Sequence, residues 1–190
     1  MIYLLFHLGI IAFDDFKQVY GVCPQNDAIY ECTFDDISCN LHVSNPIAYP
    51  NWALSQGKIP DHTMQTKSGS FFGVDYTSQV STGKTVEVNT KYFKPTKGSC
   101  VTFWYIMKDI DNQTLRLGIQ KENEVNPKYI WYVTKEQGSF WYVHKFTVVS
   151  QQNWRVFLQA SGQGTKGIIG IDDIIIDTTK PCEGTSGKSA

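Results

Sequence analysis

The sequence lacks a strong excess of either charge and has no basic block or acidic tail. Lys and Arg number 17 against 18 Asp and Glu, which gives a formal net charge of −1. Proteins that bind nucleic acid or anionic membranes usually carry concentrated positive charge, so neither partner is expected here. The apolar run of residues 1–13 is too short to cross a bilayer, and no transmembrane segment is predicted in this chain.

Recognisable catalytic motifs are also missing. There is no HExxH motif, and the four histidines are scattered, which is more typical of surface or loop positions than of metal ligands. Asp172 and Asp173 are adjacent, and neighbouring side chains on a strand diverge, so the pair cannot flank one scissile bond. The sequence therefore predicts a protein that is not an enzyme.

The five cysteines form no CxxC pair and have no histidine at zinc-finger spacing. They are Cys23, Cys32, Cys39, Cys100 and Cys182. This pattern favours disulfides over a metal site, and hence an extracellular, oxidising compartment. Residues 1–13 are apolar and turn polar at Asp14, which fits a secretory signal peptide, with a buried N-terminal strand as the alternative.

The segment Gly167–Asp177, GIIGIDDIIID, predicts a strand that is apolar on both faces and lies inside a layered β domain. Strict alternation would place Ile169 and Ile171 on one face, with Ile174 and Ile176 on the other. An ionised carboxylate in such a strand is costly unless it is paired or hydrogen-bonded. Asp172 and Asp173 must therefore find partners elsewhere in the chain.

Six further segments combine β-branched and aromatic residues with turn residues between them. They are Ser70–Tyr76, Cys100–Ile106, Thr114–Gln120, Tyr129–Val133, Phe140–Val149 and Asn153–Ala160. Many short strands with irregular links predict an all-β fold, a β-sandwich or jelly roll. Residues 14–31 are interpreted as an N-terminal arm, residues 40–69 as a long loop with short strand pieces, and residues 183–190 as a flexible tail.

Several motifs, taken in order, resemble one family. They are Cys32-x-Phe34-Asp35 with Cys39, Asp61-His62-Thr63 before Gly69-Ser70-Phe71-Phe72, Cys100-Val-Thr-Phe103-Trp104-Tyr105, Trp131 to Trp141 with Gln137-Gly138, Arg155-Val156-Phe157, and Ile171-Asp172-Asp173-Ile174 before Cys182. Together they resemble the MAM domain, an extracellular module of meprins, neuropilins and receptor-type tyrosine phosphatases. The resemblance covers residues 32–182, which we interpret as one domain.

The resemblance implies a jelly-roll sandwich of two antiparallel sheets with disulfides Cys32–Cys39 and Cys100–Cys182. It leaves Cys23 outside the family's four cysteines, either as an unpaired or locally satisfied thiol or as an intermolecular disulfide.

The resemblance also implies a structural cation, Ca²⁺ or Na⁺, held by Asp35, Asp61 and one of Asp172 or Asp173. Hard cations prefer several oxygen ligands, which these carboxylates would supply. The alternative is that the aspartates accept backbone N–H groups or pair with the chain's arginines, Arg116 or Arg155.

The predicted function is protein–protein contact in adhesion or assembly, by a secreted or cell-surface, non-catalytic domain that binds another extracellular protein, including a second copy of the chain. Asn112-Gln113-Thr114 is an N-glycosylation sequon in a predicted hairpin turn. One alternative is a carbohydrate-binding jelly roll, favoured if Tyr49, Trp52 or Tyr92 is exposed beside polar side chains. Another is an accessory domain of a secreted protease or receptor.

Overall fold

The computed structural model describes residues 3–6, 9–12, 28–35, 39–44, 51–77, 85–162 and 166–183. These residues form thirteen β-strands and no helix, so none of them supplies a helix that could span a membrane. The strands are β1 (Tyr3–Phe6), β2 (Gly9–Ala12), β3 (Ile29–Cys32), β4 (His42–Ser44), β5 (Trp52–Ser55), β6 (Phe71–Asp75), β7 (Thr85–Asn89), β8 (Thr96–Lys108), β9 (Thr114–Lys121), β10 (Lys128–Val133), β11 (Tyr142–Ser150), β12 (Trp154–Ser161) and β13 (Ile168–Asp177).

Two antiparallel sheets form a disulfide-bonded jelly-roll sandwich, as predicted. The five-stranded sheet has the order β10-β9-β12-β7-β4, and the six-stranded sheet has the order β11-β8-β13-β6-β5, with β3 paired to β13. All seven predicted strands are present, with ends that differ by a few residues. Strand β7 was not predicted, and β3 extends the six-stranded sheet into the segment interpreted as an N-terminal arm.

The N-terminal segment interpreted as a signal peptide contains a separate hairpin of β1 and β2. Strand pairing does not test whether a signal peptidase removes the segment, so secretion through it stays a prediction. Cys23 lies outside the described residues.

The core forms between the sheets, and strands of the five-stranded sheet turn apolar residues towards it by alternating them with polar ones. On β12, Trp154, Val156 and Leu158 are at most 2% exposed and face the six-stranded sheet. Their neighbours Arg155 and Gln159 lie on the opposite face of β12. The same alternation on β9 and β7 gives the five-stranded sheet one apolar face and one polar face.

Strand β13 contains a β-bulge at the two adjacent aspartates. Its register against β8 shifts between Asp172 and Ile175, and Asp173 has a φ of 45°. Aspartate tolerates this left-handed conformation better than a β-branched residue does. The extra residue reverses the alternation of side chains along the rest of the strand.

Because of the bulge, the prediction that Ile174 and Ile176 lie on the opposite face of β13 from Ile169 and Ile171 is wrong. Ile169 and Ile171 pack in the main core, and beyond the bulge Ile174 and Ile176 pack in the same core, not on the opposite face. Strict alternation failed because it assumes a regular strand. Ile168 instead joins a smaller apolar cluster on the outer face of the six-stranded sheet.

Two disulfides join the cysteines that the resemblance paired. Cys32 and Cys39 have Cα atoms 5.2 Å apart, and Cys100 and Cys182 have Cα atoms 4.5 Å apart. The second disulfide connects β8 to the segment that follows β13.

Candidate functional site

Segment 56–69, which we call the covering loop, packs on the outer face of the six-stranded sheet. Ile59 from this loop joins Phe71, Ile106 and Ile168 in the smaller apolar cluster, with Trp141 against it. The indole N–H of Trp141 donates to the carbonyl oxygen of Pro60, 2.9 Å away. The loop is therefore fixed to the sheet, and it covers the aspartates of β13.

Asp61 organises the covering loop from within. It is 1% exposed, and its two carboxylate oxygens accept the backbone N–H groups of Met64 at 2.7 Å and Thr66 at 3.1 Å. The N–H of Asp61 donates in turn to the carbonyl oxygen of Thr66. These bonds close a tight turn around a buried carboxylate.

Asp172 and Asp173 hold the next residues of the loop. Asp172 is fully buried and accepts the backbone N–H of His62 at 2.8 Å and that of Asp173 at 2.9 Å. Asp173 lies 2.5 Å from Nδ1 of His62 and accepts the hydroxyl of Thr63 at 2.7 Å. The imidazole of His62 also stacks on Trp104, with ring centroids 4.4 Å apart.

The electrostatics of this cluster are unfavourable for the charged form of Asp172. Its pKa is raised to about 7, mainly by burial and in part by the charges of Asp173 and Asp61, while the two backbone hydrogen bonds oppose the rise. Asp35 lies at the edge of the cluster, where it is exposed and accepts the N–H of Ser70 at 2.8 Å. All four predicted cation ligands thus contact the covering loop or its junction with β6.

Carboxylate oxygens are ligands that Ca²⁺ and Na⁺ prefer. In this structure, however, the carboxylate oxygens accept hydrogen bonds from backbone N–H groups. Within the described residues, no group of three or more His, Cys, Asp or Glu side chains is placed to hold a metal ion. The bonds to backbone N–H groups are those of the alternative interpretation. The predicted pairing of these aspartates with an arginine is wrong. Arg155 donates to Gln120 and Asn89 on the other sheet, and Arg116 lies over the ring of Tyr129.

Gly69 packs directly against the buried carboxylate. A Cβ atom at this position would lie 2.3 Å from the carboxyl carbon of Asp61. We expect Gly69→Ala to lower the free energy of unfolding by about 3 kcal/mol, because the loop turn must move. Gly138→Ala is the control, since it has a φ of 80° and no atom within 4 Å, and backbone strain alone costs about 1 kcal/mol. Equal losses in urea unfolding would contradict the close packing of Gly69 on Asp61.

A second set of polar side chains lies on the outer face of the five-stranded sheet. This polar face comprises Glu87, Asn89, Arg116, Gln120, Arg155 and Gln159, which the strand register places side by side. Asn89, Gln120 and Gln159 are 3%, 7% and 8% exposed. The guanidinium of Arg155 donates to Gln120 at 2.7 and 2.9 Å and to Asn89 at 2.7 Å.

Two tyrosines border the polar face, and each lies under an arginine. Arg155 is 4.8 Å from the ring centroid of Tyr92, and Arg116 is 5.8 Å from that of Tyr129. The amide of Gln159 donates to the Tyr129 hydroxyl at 2.5 Å and to Glu87 at 3.0 Å. This face was not predicted from the sequence, although the alternation Arg155-x-Phe157-x-Gln159 is a signal that indicates a polar face on β12.

Tyr49, Trp52 and Tyr92, whose exposure would favour carbohydrate binding, differ in what the structure shows of them. Tyr92 is 38% exposed beside Arg155, whereas Trp52 is 3% exposed and belongs to the core. Tyr49 lies outside the described residues. One of the three criteria is therefore met.

Aromatic side chains fill the lateral edge where β10 and β11 approach each other. Trp131 stacks on His144 with ring centroids 4.6 Å apart and also contacts Phe103 and Tyr105 edge to face. Burial lowers the pKa of His144. Exposed apolar residues lie on β10, on β11 and just before β11: Tyr132, Phe140, Tyr142, Val143 and Val149.

Asn112 is exposed in the turn between β8 and β9, as predicted for a glycosylated position. We expect the secreted protein to carry an N-glycan there, because Thr114 completes the sequon. Thr114→Ala is expected to abolish the shift in electrophoretic mobility caused by a glycosidase, and Thr114→Ser to retain it. A mobility shift that survives in Thr114→Ala would place the glycan elsewhere.

Comparisons with known proteins cover most of the chain. The family model "MAM domain, meprin/A5/mu" matches residues 32–183. Thyroid hormone-induced protein B of Xenopus laevis is 26% identical over 96% of this chain and 28% of its own length. Neuropilin-1 of Rattus norvegicus is 30% identical over 67% of this chain and 14% of its own length. The chain thus spans less than a third of the length of these relatives.

Solved structures with low sequence identity share the fold. The K1 cleaved adhesin domain of Lys-gingipain from Porphyromonas gingivalis W83 has a TM-score of 0.59, with 10% identity over 80% of this chain and 98% of that domain. A xylan-binding domain from CBM 22 has a TM-score of 0.54, with 13% identity over 84% of this chain and 99% of that domain. Both comparisons support the jelly-roll architecture.

Proposed function

Because the chain belongs to the MAM domain family, we propose that it is a secreted or cell-surface, non-catalytic module that binds another protein. Domains of this family are extracellular and take part in extracellular protein interactions. The same contact would serve an accessory domain of a secreted protease or receptor.

The observation that carries this proposal is the exposed apolar surface on β11 and beside it. Val143, Val149 and Phe140 are 49%, 48% and 75% exposed. Among the described residues, β11 pairs only with β8, so the backbone groups along its outer edge are open to another chain. Exposed apolar residues beside an open strand edge suit contact with a protein.

A second copy of the chain is the partner to test first, because the same strand edge on two molecules can pair with itself. We expect sedimentation velocity of the secreted chain to show reversible self-association that Val143→Lys weakens, since lysine on an edge strand opposes pairing. Val125→Lys is the matched control, because Val125 is 90% exposed in the turn before β10. A monomer at all concentrations would overturn the homophilic proposal.

A disulfide between the Cys23 residues of two molecules would make the same self-association covalent. If it joins two molecules, non-reducing electrophoresis will show a dimer that Cys23→Ser removes. A single monomeric band from the wild-type protein would overturn this covalent version.

The proposal includes a stabilising cation at the carboxylates of Asp35, Asp61 and the Asp172–Asp173 pair. A ligand that binds only the folded state raises the melting temperature. We therefore expect a higher melting temperature with Ca²⁺ or Na⁺ than with chelator in a salt-free organic buffer, and a smaller rise in Asp35→Asn. Asp35 suits this test because it is exposed. Coincident melting curves would overturn cation binding and leave the hydrogen bonds as the complete explanation.

Carbohydrate binding is a second candidate function, favoured by one observation. Tyr92 is exposed and lies beside Arg155 at the border of the polar face. Exposed aromatic rings among fixed polar groups are a common arrangement in ligand sites. The fold is shared with a xylan-binding domain, which supports this candidate at the level of architecture.

A further inference from the structure

The polar face collects both of the chain's arginines. The sequence contains only Arg116 and Arg155 among its 17 basic residues, and both lie on the outer face of the five-stranded sheet. In the described part of the chain, neither arginine forms a salt bridge. A planar guanidinium without a carboxylate partner is suited to bind one from a ligand in a bidentate arrangement.

The two arginines have different environments. Arg155 is fixed by three hydrogen bonds to amide oxygens, so it holds the geometry of the face. Arg116 is exposed and, among the described residues, has the ring of Tyr129 as its contact and no hydrogen-bond acceptor. Arg116 is therefore the cation available to a ligand.

Side chains around Arg116 are oriented in advance. Gln159 is held between Glu87 and the Tyr129 hydroxyl, which fixes amide, carboxylate and phenol groups in one row. Buried Gln159 thereby orients the two more exposed groups: the Glu87 carboxylate can accept from a ligand hydroxyl and the Tyr129 hydroxyl can donate to one, with little rotamer entropy lost on binding. Glu87 brings a negative charge to the same row, which selects against a ligand that is anionic along its whole length.

The dimensions of the face suit an extended ligand. Arg155 lies opposite Gln120, four residues along β9 from Arg116, so the two arginines are about 13 Å apart along the strand. Tyr129 and Tyr92, which are 39% and 38% exposed, lie beside the two arginines and offer ring surface at separate points. One sugar ring is too short to contact both.

We propose that the polar face binds an extended oligosaccharide with a carboxylate-bearing sugar against Arg116. The neighbouring hydroxyl groups of the ligand bond to Glu87 and to the Tyr129 hydroxyl, and the apolar faces of the sugar rings pack on Tyr129 and Tyr92. This inference rests on carbohydrate binding, the second candidate function, and names its site and the charge of its ligand.

The test is binding of the secreted full chain to an array that pairs uronate- and sialate-bearing oligosaccharides with neutral ones of the same length. We expect acidic members to be preferred and Arg116→Gln to weaken their binding by roughly tenfold, because one charge-assisted bidentate pair is lost. Lys145→Gln is the matched control, since it removes one positive charge from an exposed site on β11. It is expected to leave binding unchanged.

The outcomes separate the function from the site. Binding to no oligosaccharide would overturn both. Saccharide binding that Arg116→Gln and Lys145→Gln weaken equally, or that does not prefer acidic members, would overturn the site and keep the function. Displacement of a bound oligosaccharide by a poly-glutamate peptide of equal affinity would reassign the face to an acidic protein segment. Selective loss in Arg116→Gln with a folded-state circular dichroism spectrum would support the proposal.

Discussion

Replacing Cys100 and Cys182 together by serine is expected to lower the free energy of unfolding by about 4.5 kcal/mol, because the disulfide closes a long loop. The two cysteines are 82 residues apart, and Cys182 is 7% exposed. Without the bond, the segment after β13 would keep the hydrogen bond from the backbone N–H of residue 182 to the Thr147 hydroxyl and those from Thr178 to the carbonyl oxygen of Ala28. Urea unfolding with a linear extrapolation measures the loss.

The short disulfide provides the control for this prediction. Cys32 and Cys39 are 7 residues apart, so the same change there is expected to cost about 2.5 kcal/mol. The ordering of the two losses is the testable quantity, since both variants bury serine in place of cysteine. A larger loss for Cys32→Ser/Cys39→Ser would mean that local packing around Phe34 matters more than loop closure.

Raising the pH from about 4 to about 7 is expected to lower the stability contribution of Asp172 in the presence of chelator. Burial raises the pKa of its carboxyl group from the ordinary value of 3.8 to about 7. Between these values the folded state keeps a proton that the unfolded state has released, so deprotonation favours unfolding. The contribution is fully present below pH 3.8 and is lost as the pH rises through 7.

Asp172→Asn should remove this fall, because the amide stays neutral over the whole range. The measurement is urea unfolding of both proteins at several pH values, and the informative quantity is the difference between them.

Asp177→Asn is the opposite control, since hydrogen bonds from Thr179 lower the pKa of Asp177 and give a stability contribution that is lost toward low pH. Parallel pH profiles for wild type and Asp172→Asn would contradict the raised pKa. Addition of Ca²⁺ should abolish the fall if the cation binds at this carboxylate.

The sequence predicted the sandwich well because strand alternation is a local signal. The seven predicted strands include the central strand of each sheet, β12 and β13, and also the edge strands β10 and β11. The disulfide pairing came from the family resemblance. The bulge at Asp173 was not predictable in the same way, since a positive φ at a non-glycine residue depends on the loop packed against it.

The candidate sites were only partly predictable. Asp61 and Asp172 were identified because buried carboxylates demand partners, but the partners are backbone N–H groups of segment 62–66, which no side-chain pattern reveals. The polar face required the register of three strands, namely β7, β9 and β12. That register is set by long-range pairing and not by local sequence.

The position of β13 determines when the domain can finish folding during synthesis. This strand lies between β8 and β6 in the middle of the six-stranded sheet, and it also pairs with β3, yet among the described residues it is the last strand in chain order. The five-stranded sheet can assemble once β12 has emerged, whereas the other sheet keeps open edges on β6 and β8 until residue 177 is available. A nascent chain paused before that point would expose two strand edges to neighbouring chains, so the domain depends on rapid completion of β13 to avoid aggregation.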